Sequence, residues 1–309
     1  MNGSVRSSAG LVWRHQRLMW WIFAVNLVIA WLSSLSTRAT LSAVLDHSME
    51  SAKLVTGFDV GTLALLLERP DVSARTLAPG AAGAALIFLV YLLFIDGGAL
   101  TVFLEDRELS RAEFFENAGL FFWRMVRLAL YSAAAFGLLM AAGGEISGYA
   151  GTLSSDAPQE RLGFFVNVAG KVVIVIATLW VRMWFDLAQV WVVRENEYKI
   201  IRGLARSLRV ALRSGKLFAS YVGIGWFAVV TFGAGVGVWV YLPHAAMGRS
   251  FLVLELVTIT QIASRLWMKA ASARWVALLP LAAALPVTPV DETYAPALEV
   301  TDVRLPEPE

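Results

Sequence analysis

Six stretches of the chain, residues 18–35, 82–104, 120–142, 164–193, 217–242 and 251–267, are almost wholly apolar. Each holds about 17 residues or more, enough to cross a hydrocarbon core of about 30 Å. Backbone in hydrocarbon must satisfy its own hydrogen bonds, so such runs become helices. The expected fold is an all-α integral membrane protein with six transmembrane helices. Composition agrees: 58% of residues are hydrophobic and 16% charged, with mean hydropathy +0.63, against about 25% charged in soluble domains. The 12 Trp fit as well, because Trp gathers at membrane interfaces. The chain has no cysteine. That excludes disulfides, thiol catalysis and Cys-ligated metal sites.

The first run follows a basic start with Arg6, Arg14 and Arg17. It contains Asn26 and Trp31 and is followed by Ser33-Ser34-Leu35-Ser36, with no A-x-A site. It reads as an uncleaved helix rather than a signal peptide. Lys and Arg near the other ends set the orientation. Arg107, Arg111, Arg124 and Arg127 lie about the second connection, a run from Arg194 to Lys216 about the fourth, and Lys269 and Arg274 after the last span. An even number of spans puts all of these on one side. The expected location is the plasma membrane (the bacterial inner membrane), with both termini cytoplasmic.

The membrane domain is expected over 1–279. Its outer loop, 40–80, carries two short amphipathic segments, one around Leu41, Val44 and Leu45 and one around Leu63 and Leu65–Leu67. Asp59 is placed to cap the second and Pro70 to stop it. The tail, 280–309, is rich in Pro and acids and reads as disordered.

Residues 199–213 carry the most specific local pattern. Ile201, Leu204, Ala205, Leu208 and Leu212 share one helical face, and Arg202, Arg206, Arg209 and Arg213 share another. A basic amphipathic helix suits a headgroup layer, and its arginines are candidate contacts for anionic lipid. The plainer reading is a topology anchor. No aromatic interleaving points to nucleic acid.

Polar residues inside the spans are the second signal. Arg182, Asp186 and Gln189 lie at i, i+4 and i+7 in the fourth span. Thr258, Gln261, Arg265 and Lys269 form a similar stripe in the sixth, and Asp96 lies in the second. Charges in a membrane are normally paired and mark candidate sites. Asp96, Arg182, Asp186, Gln189, Gln261 and Arg265 are therefore the candidate polar site, with Arg265–Asp186 or Arg182–Asp96 as the expected pairs. Counted from Phe164, the span length puts Asp186 at the inner headgroups, where Arg182 can snorkel and Trp180, Trp184 and Trp191 mark the interface; counted from Val172, with Lys171 at the outer edge, it puts Asp186 inside the membrane.

Asp96 and Asp186 also occupy matching places. Each ends an apolar run and precedes a charged turn, a short amphipathic segment and a further span. Spans two–three and four–five read as a parallel helix-hairpin repeat, an arrangement common in transporters and not confined to them. His15, His47 and His244 show no metal-ligand spacing, and His47 with Asp46 and Glu50 is the best grouping. No phosphate loop, dinucleotide fingerprint or nucleophile elbow is present.

The stretch "DLAQVWVVRENEYKIIRGLARSLRVALRSGKLFASY", residues 186–221, resembles the corresponding piece of bacterial six-span membrane proteins of unknown function. More distantly, it is similar to the membrane domain found beside some glycerophosphodiester phosphodiesterases. The resemblance implies a six-helix membrane module and carries no activity, cofactor or functional residue with it. The expectation is a non-enzymatic module that organises lipid or a partner membrane protein, without metal or cofactor. The alternative is a permease for a small polar or amphiphilic solute.

Overall fold

The computed structural model describes residues 2–45, 68, 74–156, 160–241 and 247–279. Among them are eight helices and no strand: α1 (Asn2–Arg14), α2 (Gln16–Leu45), α3 (Ala74–Glu105), α4 (Arg111–Asp156), α5 (Glu160–Arg194), α6 (Ile200–Arg213), α7 (Gly215–Tyr241) and α8 (Met247–Ala277). Six of these, all but α1 and α6, are long and apolar enough to cross a membrane. Each coincides with one of the six expected spans, residue 242 of the fifth lying outside the described residues. Residues Met1–Ala277 form one compact unit, and Leu278–Glu309 a second in which only Leu278 and Leu279 are described.

Two short segments do not stand alone. Leu41, Val44 and Leu45 continue α2, because nothing in 36–45 breaks the helix. The segment expected before the third span is the first part of α4, which runs unbroken over 46 residues. Ser110 starts it as a capping box: Glu113 N–H donates to Ser110 Oγ (3.2 Å), and Ser110 N–H to the Glu113 carboxylate (2.8 Å). The second amphipathic outer segment with Asp59 and Pro70, His47, His244, and the Pro-rich tail lie outside the described residues. The N-terminal helix α1 is an addition. It packs on α8 through buried Ser8 and Leu11, and Trp267 donates its indole N–H to Ser8 Oγ (3.1 Å).

Neighbours in sequence pack side by side from α2 to α5. Helix α8 is the hub, touching α1, α2, α3, α5 and α7. The core lies at one end of the bundle. Its buried side chains include Leu92–Phe103 positions of α3, Phe121 and Met125 of α4, Val181–Val193 positions of α5, Tyr221 of α7 and Leu266–Val276 positions of α8. The far halves expose Leu86, Leu138, Phe164, Trp226 and Leu252, as lipid-facing side chains do.

The packed end also holds the charged turns. Asp106, at φ 50 after α3, gathers Arg14 (3.0 Å), His15 (3.7 Å) and Arg274 (4.0 Å) from α1, the α1–α2 junction and α8. Asn196, at φ 48 after α5, accepts from Arg124 of α4 (2.6 Å), whose guanidinium lies 3.9 Å from the Tyr198 ring centre. Left-handed backbone favours Asn and Asp among non-glycine residues.

Helix α6 divides into three faces. Ile200, Gly203, Ser207 and Ala211 pack inward. Ile201 and Leu212 are each 69% exposed, Ala205 is exposed, and Leu204 and Leu208 are half-buried. Arg202, Arg209 and Arg213 are exposed on the remaining face, and Arg206 pairs with Glu195. At about 100° per residue the three faces are roughly 110° or more apart.

Candidate intramembrane polar site

Asp96 is held by its own helix. Gly97 and Gly98 let α3 lie against the backbone of α4. A Cβ on Gly97 would stand 2.9 Å from Phe121 Cβ, and one on Gly98 would stand 2.8 Å from the Phe114 carbonyl oxygen. Asp96 faces α8, where Lys269 Nζ sits 2.8 Å from its Oδ2 and Arg265 Nη2 at 3.9 Å. That Oδ2 has no aligned hydrogen bond. The Lys269 contact is therefore an ion pair, while Lys269 donates its hydrogen bond to Gln189 Oε1 of α5 (2.7 Å). Asp96 and Lys269 are both buried. One helix turn further on, a second group closes around Tyr221, which is 0% exposed. Its hydroxyl donates to Asp186 Oδ2 (2.8 Å), shares a 2.6 Å hydrogen bond with Ser272 Oγ, and has the Met268 carbonyl oxygen at 3.2 Å.

The six residues expected together thus fall into two adjoining groups bridged by α8. Arg265 pairs with Asp96, and neither expected pair forms. Asp186 is taken by Tyr221 instead, a neutral donor that delivers one proton to one oxygen. Arg182 forms no ion pair among the described residues; it is half-buried and within electrostatic range of the Tyr221 hydroxyl. Gln261 donates to the Ala228 carbonyl oxygen (2.8 Å), tying α8 to α7. Asp186, 8% exposed, is enclosed by protein. Trp191 is buried too, and Trp184 donates to the Leu204 carbonyl oxygen of α6 (3.0 Å). The Trp191 indole is thus packed inside the protein, and the half-buried Trp184 indole ties α5 to α6.

Sequence reasoning put Lys269 in the sixth-span stripe but not in the candidate site, and it missed Tyr221 and Ser272. Lys269 extends the Gln261–Arg265 stripe by one more turn, and that spacing was the available signal. Tyr221 and Ser272 are single hydroxyls with no period to reveal them. Within this chain Gly233 and Gly237 of α7 face open space, since a Cβ at either position would meet nothing. Gly235 between them is the close contact, where a Cβ would overlap Val257 of α8.

Two clefts open beside these groups. One, of about 320 Å³, lies between α2, α3, α7 and α8; Asp96, Arg265 and Lys269 line it together with Asn26, Gln261 and apolar side chains. The other, of about 690 Å³, lies at the packed end, with Arg14, Arg17 and Arg111 beside Trp21, Phe114 and Phe115. Among the described residues no group of His, Asp and Glu is placed to hold a metal ion. No protein-family model, curated protein or solved structure matches this chain.

Proposed function

We propose that the protein is a non-enzymatic membrane module of the plasma membrane that organises anionic lipid at the inner leaflet. Both termini face the cytoplasm. The observation that carries this reading is the three-faced helix α6. It packs on the protein through Ile200 and the small residues Gly203, Ser207 and Ala211, which leaves Ile201, Ala205 and Leu212 uncovered. In water that exposure would be unfavourable. With α6 in the plane of the headgroups, the same face enters hydrocarbon and the arginine face meets phosphates. Arg206 is neutralised by Glu195, while Arg202, Arg209 and Arg213 have no ion-pair partner among the described residues. At about 1 kcal/mol per basic residue near an anionic surface, these three contribute roughly 3 kcal/mol, about a hundredfold in affinity. In the aromatic-walled cleft at the packed end, Arg14 and Arg17 are paired with Asp106 and Glu108, which leaves Arg111 as the cation open to the same ligand.

The repeat belongs to this proposal. Asp106 and Asn196 each follow the acid of their unit, Asp96 and Asp186, by ten positions, and both adopt positive φ. The two copies differ in that one continues as a single long helix and the other bends at Ser214 between α6 and α7.

The test is native mass spectrometry of protein released from nanodiscs containing phosphatidylcholine and phosphatidylglycerol. Wild type should retain phosphatidylglycerol, and Arg202→Gln/Arg209→Gln/Arg213→Gln should lose it about a hundredfold more readily. Equal retention by the triple variant would sink the reading. A second reading, a permease for a small polar or amphiphilic solute, is favoured by the cleft at Asp96 and Arg265. Protein-dependent uptake into proteoliposomes, lost in Asp96→Asn, is what that reading requires.

A further inference from the structure

We infer that the cleft between α2, α3, α7 and α8 binds a single-chain amphiphile by its anionic head, with Arg265 as the cation that meets it. The inference deepens the second reading, through its cleft, and is independent of α6. It starts from the charges. One carboxylate, Asp96, faces two cations. Lys269 is 2.8 Å from that carboxylate, and its side chain is 4% exposed, so its charge is met within the protein. Arg265 is 3.9 Å away, its side chain is 39% exposed, and it lines the cleft. One positive charge is left over.

Arg265 lies nine residues before Arg274, about 13 Å along α8 from the charged turn layer. Two cations that share one carboxylate are only half compensated, which is costly at such a place. A guanidinium offers five donors in a fork that matches a carboxylate or phosphate. Asn26 sits on the opposite wall with no hydrogen-bond partner among the described residues, and Gln261 uses its amide N–H but not its carbonyl oxygen on α7.

The rest of the cleft runs away from this polar end. Phe88, Leu92, Phe232, Val257 and Ile262 are apolar walls. From Lys269 to Val257 the lining of α8 extends about 18 Å. A ligand must therefore be polar and anionic at one end and apolar along the remainder. The volume, about 320 Å³, lies at the small end of the range of about 300–1,000 Å³ for small-molecule sites. That suits one chain and a small head, not a two-tailed phospholipid.

The experiment titrates the full chain, in phosphatidylcholine nanodiscs, with dodecanoate, dodecyltrimethylammonium and acetate, reading bound ligand by native mass spectrometry. Dodecanoate should bind one to one, and the other two should not be retained. Arg265→Gln should weaken dodecanoate about ten- to a hundredfold. Ile262→Trp, which keeps every charge and fills the apolar wall, should weaken it likewise, and it decides alone if Arg265→Gln does not fold. Equal retention of the ammonium amphiphile overturns the charge argument, and equal retention of acetate overturns the amphiphile. Wild-type affinity in Ile262→Trp removes the cleft. Binding of dodecanoate without protein-dependent uptake supports this site while sinking the permease.

Discussion

Tyr221→Phe deletes one oxygen from the centre of the packed end. That oxygen is fully buried and within hydrogen-bond reach of Asp186 Oδ2, Ser272 Oγ and the Met268 carbonyl. Its single proton, given to the carboxylate, leaves Ser272 as donor to the tyrosine oxygen. The variant thus removes a hydrogen bond to a charged acceptor and strands Ser272 Oγ. Hydrogen bonds to charged groups contribute about 1.5–3 kcal/mol in water-soluble proteins. In membranes the measured couplings average about 0.6 and reach about 1.7 kcal/mol, because the unfolded chain also finds partners. Full burial and a carboxylate acceptor put this contact at the upper membrane value. Reversible unfolding in mixed micelles should show Tyr221→Phe about 2 kcal/mol less stable. In a double-mutant cycle with Asp186→Ala, about 1.5 kcal/mol of the combined loss should disappear. Additivity to within about 0.5 kcal/mol would refute the claim that Asp186 is held by Tyr221.

Three further outcomes follow from the same geometry. Lys269→Met leaves Asp96 buried with only a 3.9 Å contact to Arg265 and should cost about 3–5 kcal/mol in the same unfolding assay, most of it recovered by adding Asp96→Leu. Gly98→Ala drives a Cβ onto the Phe114 backbone oxygen and should cost about 3 kcal/mol, whereas Gly137→Ala, with open space around it, should be neutral or up to about 1 kcal/mol stabilising. The cysteine-free chain allows single-site labelling: an impermeant maleimide on intact cells should modify Gly248→Cys and reach Glu108→Cys only after permeabilisation, and the reverse pattern would invert the topology.

The spans were legible because their signal is additive over about 20 residues, and no local detail can hide it. That residues 200–213 form a helix was legible from their 3.6-residue period. Which face of α6 meets the protein was not legible. The apolar stripe with Ile201 and Leu212 is one candidate packing face, yet the bundle takes the face of Ile200, Gly203, Ser207 and Ala211. Close approach of helices, not hydrophobicity, selects contacts when both alternatives are apolar. The polar site was half legible. Charges in hydrocarbon are conspicuous, so Asp96, Asp186 and Arg265 stood out. Their pairing depends on helix neighbours far apart in sequence, which is why Arg265 was assigned to Asp186 and Lys269 was left as an anchor. The glycines that press α3 onto α4 look like ordinary small residues until the Phe114 backbone is seen against them.

The most direct test of the account is the orientation of α6. Single cysteines at Ala205, Leu212 and Arg209, spin-labelled in liposomes containing anionic lipid, report depth through collisions with oxygen and with a water-soluble nickel chelate. Labels at Ala205 and Leu212 should collide mainly with oxygen, as in hydrocarbon, and the label at Arg209 mainly with the chelate. If all three collide mainly with the chelate, α6 stands in water, and the lipid-organising role loses its basis.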